Sequence, residues 1–217
     1  MQPLTAEAFV RVMDAYAQVL AEFRDVLNEL DNRIGDGDHG TNMARGFSAV
    51  AEKLKASQPT TPAAGCQTVA MTLLGTVGGA SGPLYSTAFL KLSAAWNGRA
   101  DVDEEALRGG VAAALEGIMA RGRAAVGDKT MVDVWTAVQR ELQTEQPLDA
   151  QRAVEAAAAA ALATKPLTAR KGRAAYLGDR SQGTVDPGSL SSALWFAELF
   201  AAMSEGVVKP QWDLSAL

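Results

Sequence analysis

Three aspartates in a glycine-rich stretch are the residues of this chain best suited to chemistry. Asp31, Asp36 and Asp38 lie in the segment DNRIGDGDHGTN. Asp36 and Asp38 are two residues apart, so in an extended turn their side chains can converge, and Asp31 at the end of a preceding helix can join them. Three hard oxygen ligands suit Mg²⁺, which proteins hold with few carboxylates together with substrate phosphates. The segment therefore predicts a magnesium site that binds phosphate through the metal.

The glycines of this segment have the spacing G-x-G-x-x-G, beginning at Gly35. A dinucleotide-binding turn with this spacing follows a strand, whereas the pattern before Gly35 is helical. An EF-hand loop starting at Asp36 would need glycine at Thr41 and glutamate at Phe47. One alternative stays open, which is an acidic turn that caps the next helix through Asp38 or Thr41.

The basic segment 165–187 is the second candidate for function. It carries Arg170, Lys171, Arg173 and Arg180. Long connections without secondary structure are uncommon inside compact domains and are often functional. We therefore expect an unstructured lid over the site, and the alternative is a solvated surface loop.

The elements that must position these residues are helices. Apolar residues recur at three- and four-residue steps from Thr5 to Leu30, which predicts one amphipathic helix with Thr5 as its cap. The same periodicity predicts helices near 40–56, 66–77, 82–97, 103–121, 130–143, 149–164 and 187–204. Convincing strand patterns are absent from the sequence. We expect a single all-α domain of about eight helices over residues 1–217.

Composition limits the class of protein. The formal net charge of −5 argues against nucleic acid or an anionic membrane as the main partner. The single cysteine, Cys66, excludes an internal disulfide and suits a reducing compartment. The N-terminus lacks the pattern of a signal peptide, and the most apolar stretch is interrupted by glycine, proline and lysine. These features predict a cytoplasmic location.

Four segments together resemble a known family. In chain order they read LDNRIGDGDHGTNM, MTLLGTVGGASGPLYSTAF, RGRAAVGDKTMVDVW and ARKGRAAYLGDRSQGTVDPGS. They are similar to the nucleotide-binding L subunit of dihydroxyacetone kinase, and the resemblance extends over almost the whole chain. It implies an antiparallel barrel of eight helices with a nucleotide, ADP or ATP, and two Mg²⁺ ions at one end.

The resemblance also implies roles for individual residues. It places the metal ions on Asp31, Asp36 and Asp38, and it makes Arg173 and His39 the catalytic candidates. The nucleotide contacts that it implies are His39, Gly40, Thr41, Asn42, Ala80, Ser81, Gly122, Met131, Arg173, Asp186, Pro187 and Gly188.

The implied reaction is phosphoryl transfer to dihydroxyacetone held on a separate K subunit. The chain would be one subunit of the enzyme, with tightly bound ADP rephosphorylated by a phosphohistidine M subunit of the phosphoenolpyruvate phosphotransferase system. A transcriptional regulator is a further expected partner, whereas nucleic acid and membrane are not. Two alternatives stay open: an ATP-dependent kinase subunit with exchangeable nucleotide, of dihydroxyacetone or fatty-acid kinase type, and a non-catalytic nucleotide-sensing module.

Overall fold

The computed structural model describes residues 1–144, 148–213 and 217, and within them the chain is helical. Two extended residues, Leu4 and Val102, form an isolated antiparallel bridge, and the described residues contain no strand. The elements are α1 (Ala6–Glu22), α2 (Arg24–Ile34), α3 (His39–Ser57), α4 (Pro62–Thr76), α5 (Ser81–Ala95), α6 (Glu104–Gly122), α7 (Met131–Gln143), α8 (Ala150–Ala163), a 3₁₀ helix (Arg173–Ser181) and α9 (Pro187–Met203). The predicted all-α class is confirmed.

Eight of the α-helices close into a ring. Helices α3 to α9 pack on one another in chain order, and α9 returns to pack on α1, which packs on α3. Helix α2 lies outside this sequence of neighbours and packs on α3, α9 and the 3₁₀ helix. The ring accounts for the expected count of about eight, and α2 is an additional element at its end.

The single helix predicted from Thr5 to Leu30 is wrong in one respect, because it is two helices. Helix α1 ends at Glu22, the next residue Phe23 has a φ of −87° and a ψ of 3° that are not helical, and α2 begins at Arg24. Thr5 caps α1 as expected, since its side chain accepts a hydrogen bond from the Ala8 amide. The apolar spacing continues through the break, so periodicity alone could not reveal it.

Helix α9 is a largely buried member of the ring and also supplies part of the site. Fourteen of its seventeen residues are buried, which explains why its sequence is apolar all round rather than amphipathic. Trp195 stacks on Trp135 of α7 with ring centroids 5.2 Å apart. The N-terminus of α9 is capped by Asp186, whose side chain accepts a hydrogen bond from the Ser189 amide. The packed core therefore holds residues 186–188 in place at the end of the ring.

Candidate active site

The three aspartates predicted to bind metal do converge. One carboxylate oxygen from each of Asp31, Asp36 and Asp38 lies within 4.8 Å of the other two. Asp31 is in the last turn of α2, and its Oδ2 accepts hydrogen bonds from the amides of Asp38 at 2.9 Å and His39 at 3.1 Å. Burial raises the pKa of Asp31, and the charges of Asp36 and Asp38 raise it further. The geometry of this cluster is compatible with binding of a cation.

The glycine spacing that resembles a dinucleotide-binding turn has a packing explanation. A side chain at Gly35 would collide with Oδ1 of Asp31, and Gly37 has a φ of +77°, which favours glycine. A side chain at Gly40 would collide with the carbonyl oxygen of Arg24, where α3 crosses α2. The glycines shape the turn around the carboxylates.

The capping alternative does not account for the acidic side chains. Asp38 precedes α3, but its side chain makes no capping hydrogen bond. Thr41 Oγ1 accepts a hydrogen bond from Asn28, and the Thr41 amide donates to the Asn28 side chain at 2.9 Å. The Asp38 carboxylate therefore does not cap α3.

A cleft opens beside the aspartate cluster. It encloses about 1130 Å³ of empty space including its open side, so it has room for a ligand larger than a metal ion. Apolar side chains line part of it, among them Leu84, Ile118 and Val132. Backbone of the glycine-rich loop 78–81 and of residues 186–188 lines another part. A ligand with an apolar portion and an anionic portion fits this lining.

Most of the sequence-predicted residues line this cleft. They are Asp31, Asp36, Asp38, His39, Ala80, Ser81, Gly122, Met131, Arg173, Asp186, Pro187 and Gly188. Gly40, Thr41 and Asn42 are not among its lining residues. Asn42 is buried and its Oδ1 accepts a hydrogen bond from Arg45, while the Thr41 amide is already bonded to Asn28. A nucleotide contact by these three residues stays a prediction without geometric support.

His39 lies in the wall of the cleft with both ring nitrogens engaged. Its Nδ1 is 3.0 Å from Ser81 Oγ, and its Nε2 is 3.0 Å from Ser191 Oγ. Burial lowers the pKa of His39 to about 4, so the ring is neutral near pH 7. Because both ring nitrogens are engaged, the ring can act on a bound ligand through Ser81, which also lines the cleft.

The 165–187 segment is ordered rather than unstructured, so that part of the expectation is wrong. It contains the 3₁₀ helix Arg173–Ser181, which Gly178 interrupts with a φ of 56°. Arg173 of this segment contacts the aspartate cluster, since its Nη2 lies 3.1 Å from Asp36 Oδ2. Short 3₁₀ turns lack the long periodicity by which helices are recognised in a sequence.

Asp186 is a second carboxylate of unusual environment. Its Oδ2 accepts hydrogen bonds from the amide of Ser189 at 2.7 Å and from its hydroxyl at 2.9 Å. Burial raises the pKa of Asp186 to about 6, against the opposing effect of these bonds.

Lys129 is a site residue that the sequence reasoning missed. It lines the cleft but is only 2 % exposed. Its Nζ donates hydrogen bonds to the carbonyl oxygens of Thr164 at 2.8 Å, Lys165 at 3.3 Å and Thr184 at 2.5 Å. Lys129 therefore ties together the two ends of the 165–187 segment. A lysine in the loop GDKT gives no such signal, because its partners are main-chain atoms distant in sequence.

The sequence of this chain is similar to a known domain family and to known proteins. A family model described as the DAK2 domain matches residues 33–201. An ADP-binding subunit of a PEP-dependent dihydroxyacetone kinase from Listeria innocua is 44% identical over 86% of this chain and 91% of that protein. The ADP-binding subunit of a PTS-dependent dihydroxyacetone kinase from Lactococcus lactis is 43% identical over 93% of this chain and 100% of that protein.

A solved structure is also similar. The dihydroxyacetone kinase of C. freundii in complex with AMP-PNP and Mg²⁺ superimposes with a TM-score of 0.71 at 28% identity. The match covers 92% of this chain but 34% of that longer one. In the described residues of this chain, no helix has the length and apolar character needed to cross a bilayer.

Proposed function

Because the chain belongs to the DAK2 domain family, we propose that it is the ADP-binding subunit of a phosphoenolpyruvate-dependent dihydroxyacetone kinase. The observation that carries the proposal is the convergence of Asp31, Asp36 and Asp38 at a cleft that Arg173 also reaches. The two relatives support it further, since the match spans nearly the whole of both ADP-binding subunits. The longer C. freundii enzyme, in contrast, is covered over about a third of its length.

We assign the metal site to the aspartate cluster. Its carboxylate oxygens are the ligand type that Mg²⁺ prefers, and their spacing leaves room for water and phosphate oxygens to complete the coordination. We assign the cluster two Mg²⁺ ions, because three carboxylates and the phosphates of ADP carry about six negative charges between them. When bound, the ions neutralise phosphate charge and bridge it to the protein.

The nucleotide itself fits the two kinds of lining in the cleft. The flexible thioether of Met131 and the apolar side chains of Leu84 and Ile118 suit the flat face of a base. The loop 78–81, which leads into α5, offers backbone amides to an anion. Ser81 adds a hydroxyl beside that loop.

Arg173 is the group that we assign to the transfer step. Its guanidinium lies at the mouth of the cleft, 3.1 Å from Asp36, and its side chain is 70% exposed. An arginine at this place offsets the charge that moves between phosphoryl donor and acceptor, as arginine does in other phosphoryl-transfer sites. With ATP bound, the bond between the γ-phosphorus and the β–γ bridging oxygen would break as a hydroxyl oxygen of dihydroxyacetone takes the phosphoryl group, which leaves ADP and releases the hydroxyl proton to solvent.

The acceptor would be presented by a separate K subunit, and the rephosphorylating group by a phosphohistidine M subunit. Two of the loops that line the cleft are basic, whereas the loop of Asp31, Asp36 and Asp38 is acidic. Residues 121–130 carry three basic and one acidic side chain, and residues 165–186 carry five basic and two acidic. These loops thus have a net charge of +5 in a chain of net charge −5, a segregation that steers oppositely charged partners.

A bound cofactor must remain in place over many turnovers, so its release must be slow. Purified protein should carry near-stoichiometric ADP through gel filtration in magnesium buffer and release it when a chelator is added. Loss of all nucleotide in magnesium buffer would contradict the cofactor role. Absence of ADP binding in calorimetry with Mg²⁺ would contradict the nucleotide site as well.

A further inference from the structure

A chain of buried hydrogen bonds runs from the core to the cleft through the only histidine of the protein. Trp135 Nε1 lies 3.2 Å from Ser192 Oγ, which is 3.0 Å from Tyr85 OH. The Tyr85 hydroxyl is also 2.8 Å from Ser191 Oγ. Ser191 then contacts His39 Nε2, and His39 Nδ1 contacts Ser81, each at 3.0 Å. All of these groups are buried except Ser81, which is half-buried in the cleft wall.

The direction of these bonds is limited by the chemistry of each group. Trp135 has only a donor, so Ser192 accepts from it and can donate to Tyr85. Tyr85 can then donate to Ser191, which leaves the Ser191 proton for another acceptor. The hydroxyl of Tyr16 donates to the main-chain carbonyl of Ser191 at 2.9 Å. A neutral imidazole has one donor and one acceptor nitrogen, so two arrangements of His39 remain.

In the first arrangement Ser191 donates to Nε2, and Nδ1–H donates to Ser81. The Ser81 hydroxyl then keeps its own proton for an acceptor in the cleft. In the second arrangement Nε2–H donates to Ser191, whose proton goes to the Gly188 carbonyl at 3.1 Å. Ser81 must then donate to Nδ1 and turns only lone pairs toward the cleft.

The two arrangements differ in how they treat an anion. Lone pairs of Ser81 repel phosphate oxygens, whereas its O–H bond is a charge-assisted donor to them. We infer that His39 is a positioning residue, which holds the Nδ1–H tautomer in the nucleotide-bound protein so that Ser81 donates its hydroxyl proton to a phosphate oxygen. This inference rests on the proposed nucleotide site and adds the residue and tautomer that orient one of its donors.

The tautomer can be read directly, because His39 is the sole histidine. Protein labelled with ¹⁵N-histidine and loaded with ADP and Mg²⁺ gives two ring resonances, whose shifts and proton couplings distinguish the protonated from the bare nitrogen. We expect Nδ1 to carry the proton. A proton on Nε2 in protein that calorimetry shows to be ADP-bound would overturn the inference and leave the proposed function standing.

Variants test the same point by affinity. Ser81→Ala should weaken ADP binding roughly tenfold to a hundredfold, the effect of losing a hydrogen bond to a charged group. His39→Asn, whose amide can replace Nδ1–H, should retain more affinity than His39→Leu. Ser86→Ala is the matched control, since Ser86 lies on the same helix as Ser81, but its buried hydroxyl donates to the Ala70 carbonyl of α4 and takes no part in the hydrogen bonds of His39.

The results distinguish failure of this inference from failure of the proposed function. Ser81→Ala with unchanged affinity, or His39→Asn no better than His39→Leu in folded protein, would contradict the inference. If the unmodified protein binds no ADP, the proposed function fails, and the inference fails with it.

Discussion

The guanidinium of Arg173 and the carboxylate of Asp36 form an ion pair across the mouth of the cleft, with Nη2 3.1 Å from Oδ2. They belong to segments that are far apart in the chain, the acidic turn after α2 and the 3₁₀ helix. The Arg173 side chain is 70% exposed, so this pair adds little to folding stability. The ion pair holds a positive charge beside the aspartate cluster, and this charge stays exposed to solvent.

Removal of one metal-binding carboxylate should abolish magnesium-dependent nucleotide binding. Asp36→Asn and Asp38→Asn should each lose ADP affinity while the protein stays folded, because both side chains are exposed and neither caps a helix. Calorimetry with and without Mg²⁺, alongside circular dichroism, measures this. Asp101→Asn, an exposed aspartate outside the cleft, is the control. Undiminished ADP binding by both cluster variants would refute the metal-ligand assignment.

Replacement of Arg173 should slow transfer with little change in fold. Arg173→Met should lower kcat on the order of a thousandfold, as loss of such an arginine does in related chemistry, and circular dichroism should be unchanged. Arg180→Met, in the same 3₁₀ helix but outside the cleft lining, should keep most of the activity. Near-normal turnover of Arg173→Met would indicate that Arg173 takes no part in phosphoryl transfer and that the 165–187 segment is a solvated surface segment.

The fold and the site were predictable to different depths. The helices of the ring follow from apolar periodicity, and the aspartate cluster follows from residue type and spacing. The break at Phe23 and the 3₁₀ helix were not predictable, since neither changes the apolar pattern in a recognisable way. Lys129 was hidden for another reason: its partners are three main-chain carbonyls brought together by the tertiary fold.

Lys129 is expected to be the residue whose loss loosens the 165–187 segment. Lys129→Met leaves three carbonyl oxygens without this donor, which should lower the free energy of unfolding by roughly 3 kcal/mol. ADP should also dissociate faster, because the ends of the segment are no longer tied together. Urea denaturation and stopped-flow release measure the two effects. Lys55→Met removes an exposed ion pair with Asp14 and should change stability by less than about 1 kcal/mol.

If stability and release were both unchanged in Lys129→Met, the three hydrogen bonds would not anchor the segment. A loss of stability with unchanged release would assign Lys129 to folding alone.

Asp186 should give folding stability a distinct pH dependence. Its pKa is raised to about 6 in the folded protein, so the unfolded chain releases this proton first as pH rises. The free energy of unfolding should therefore fall between about pH 4 and pH 6 by on the order of 2 kcal/mol from this group, and level off above. Asp186→Asn, which keeps a capping side chain, should lack this component.

Denaturation of both proteins across that range, without nucleotide, isolates the contribution as their difference. Asp103→Asn, at the exposed cap of α6, controls for the capping bond itself. A difference between wild type and Asp186→Asn that does not vary with pH would contradict the raised pKa.

The most direct test of the central claim is the identity of the phosphoryl donor in steady-state turnover. The purified chain is combined with a K subunit, dihydroxyacetone and Mg²⁺, and formation of dihydroxyacetone phosphate is followed with each donor in turn. We predict sustained turnover with phosphoenolpyruvate and the phosphotransferase proteins, and no more than a single turnover with free ATP. Sustained turnover on ATP alone, with nucleotide exchanging faster than catalysis, would contradict the account and identify an ATP-dependent kinase subunit.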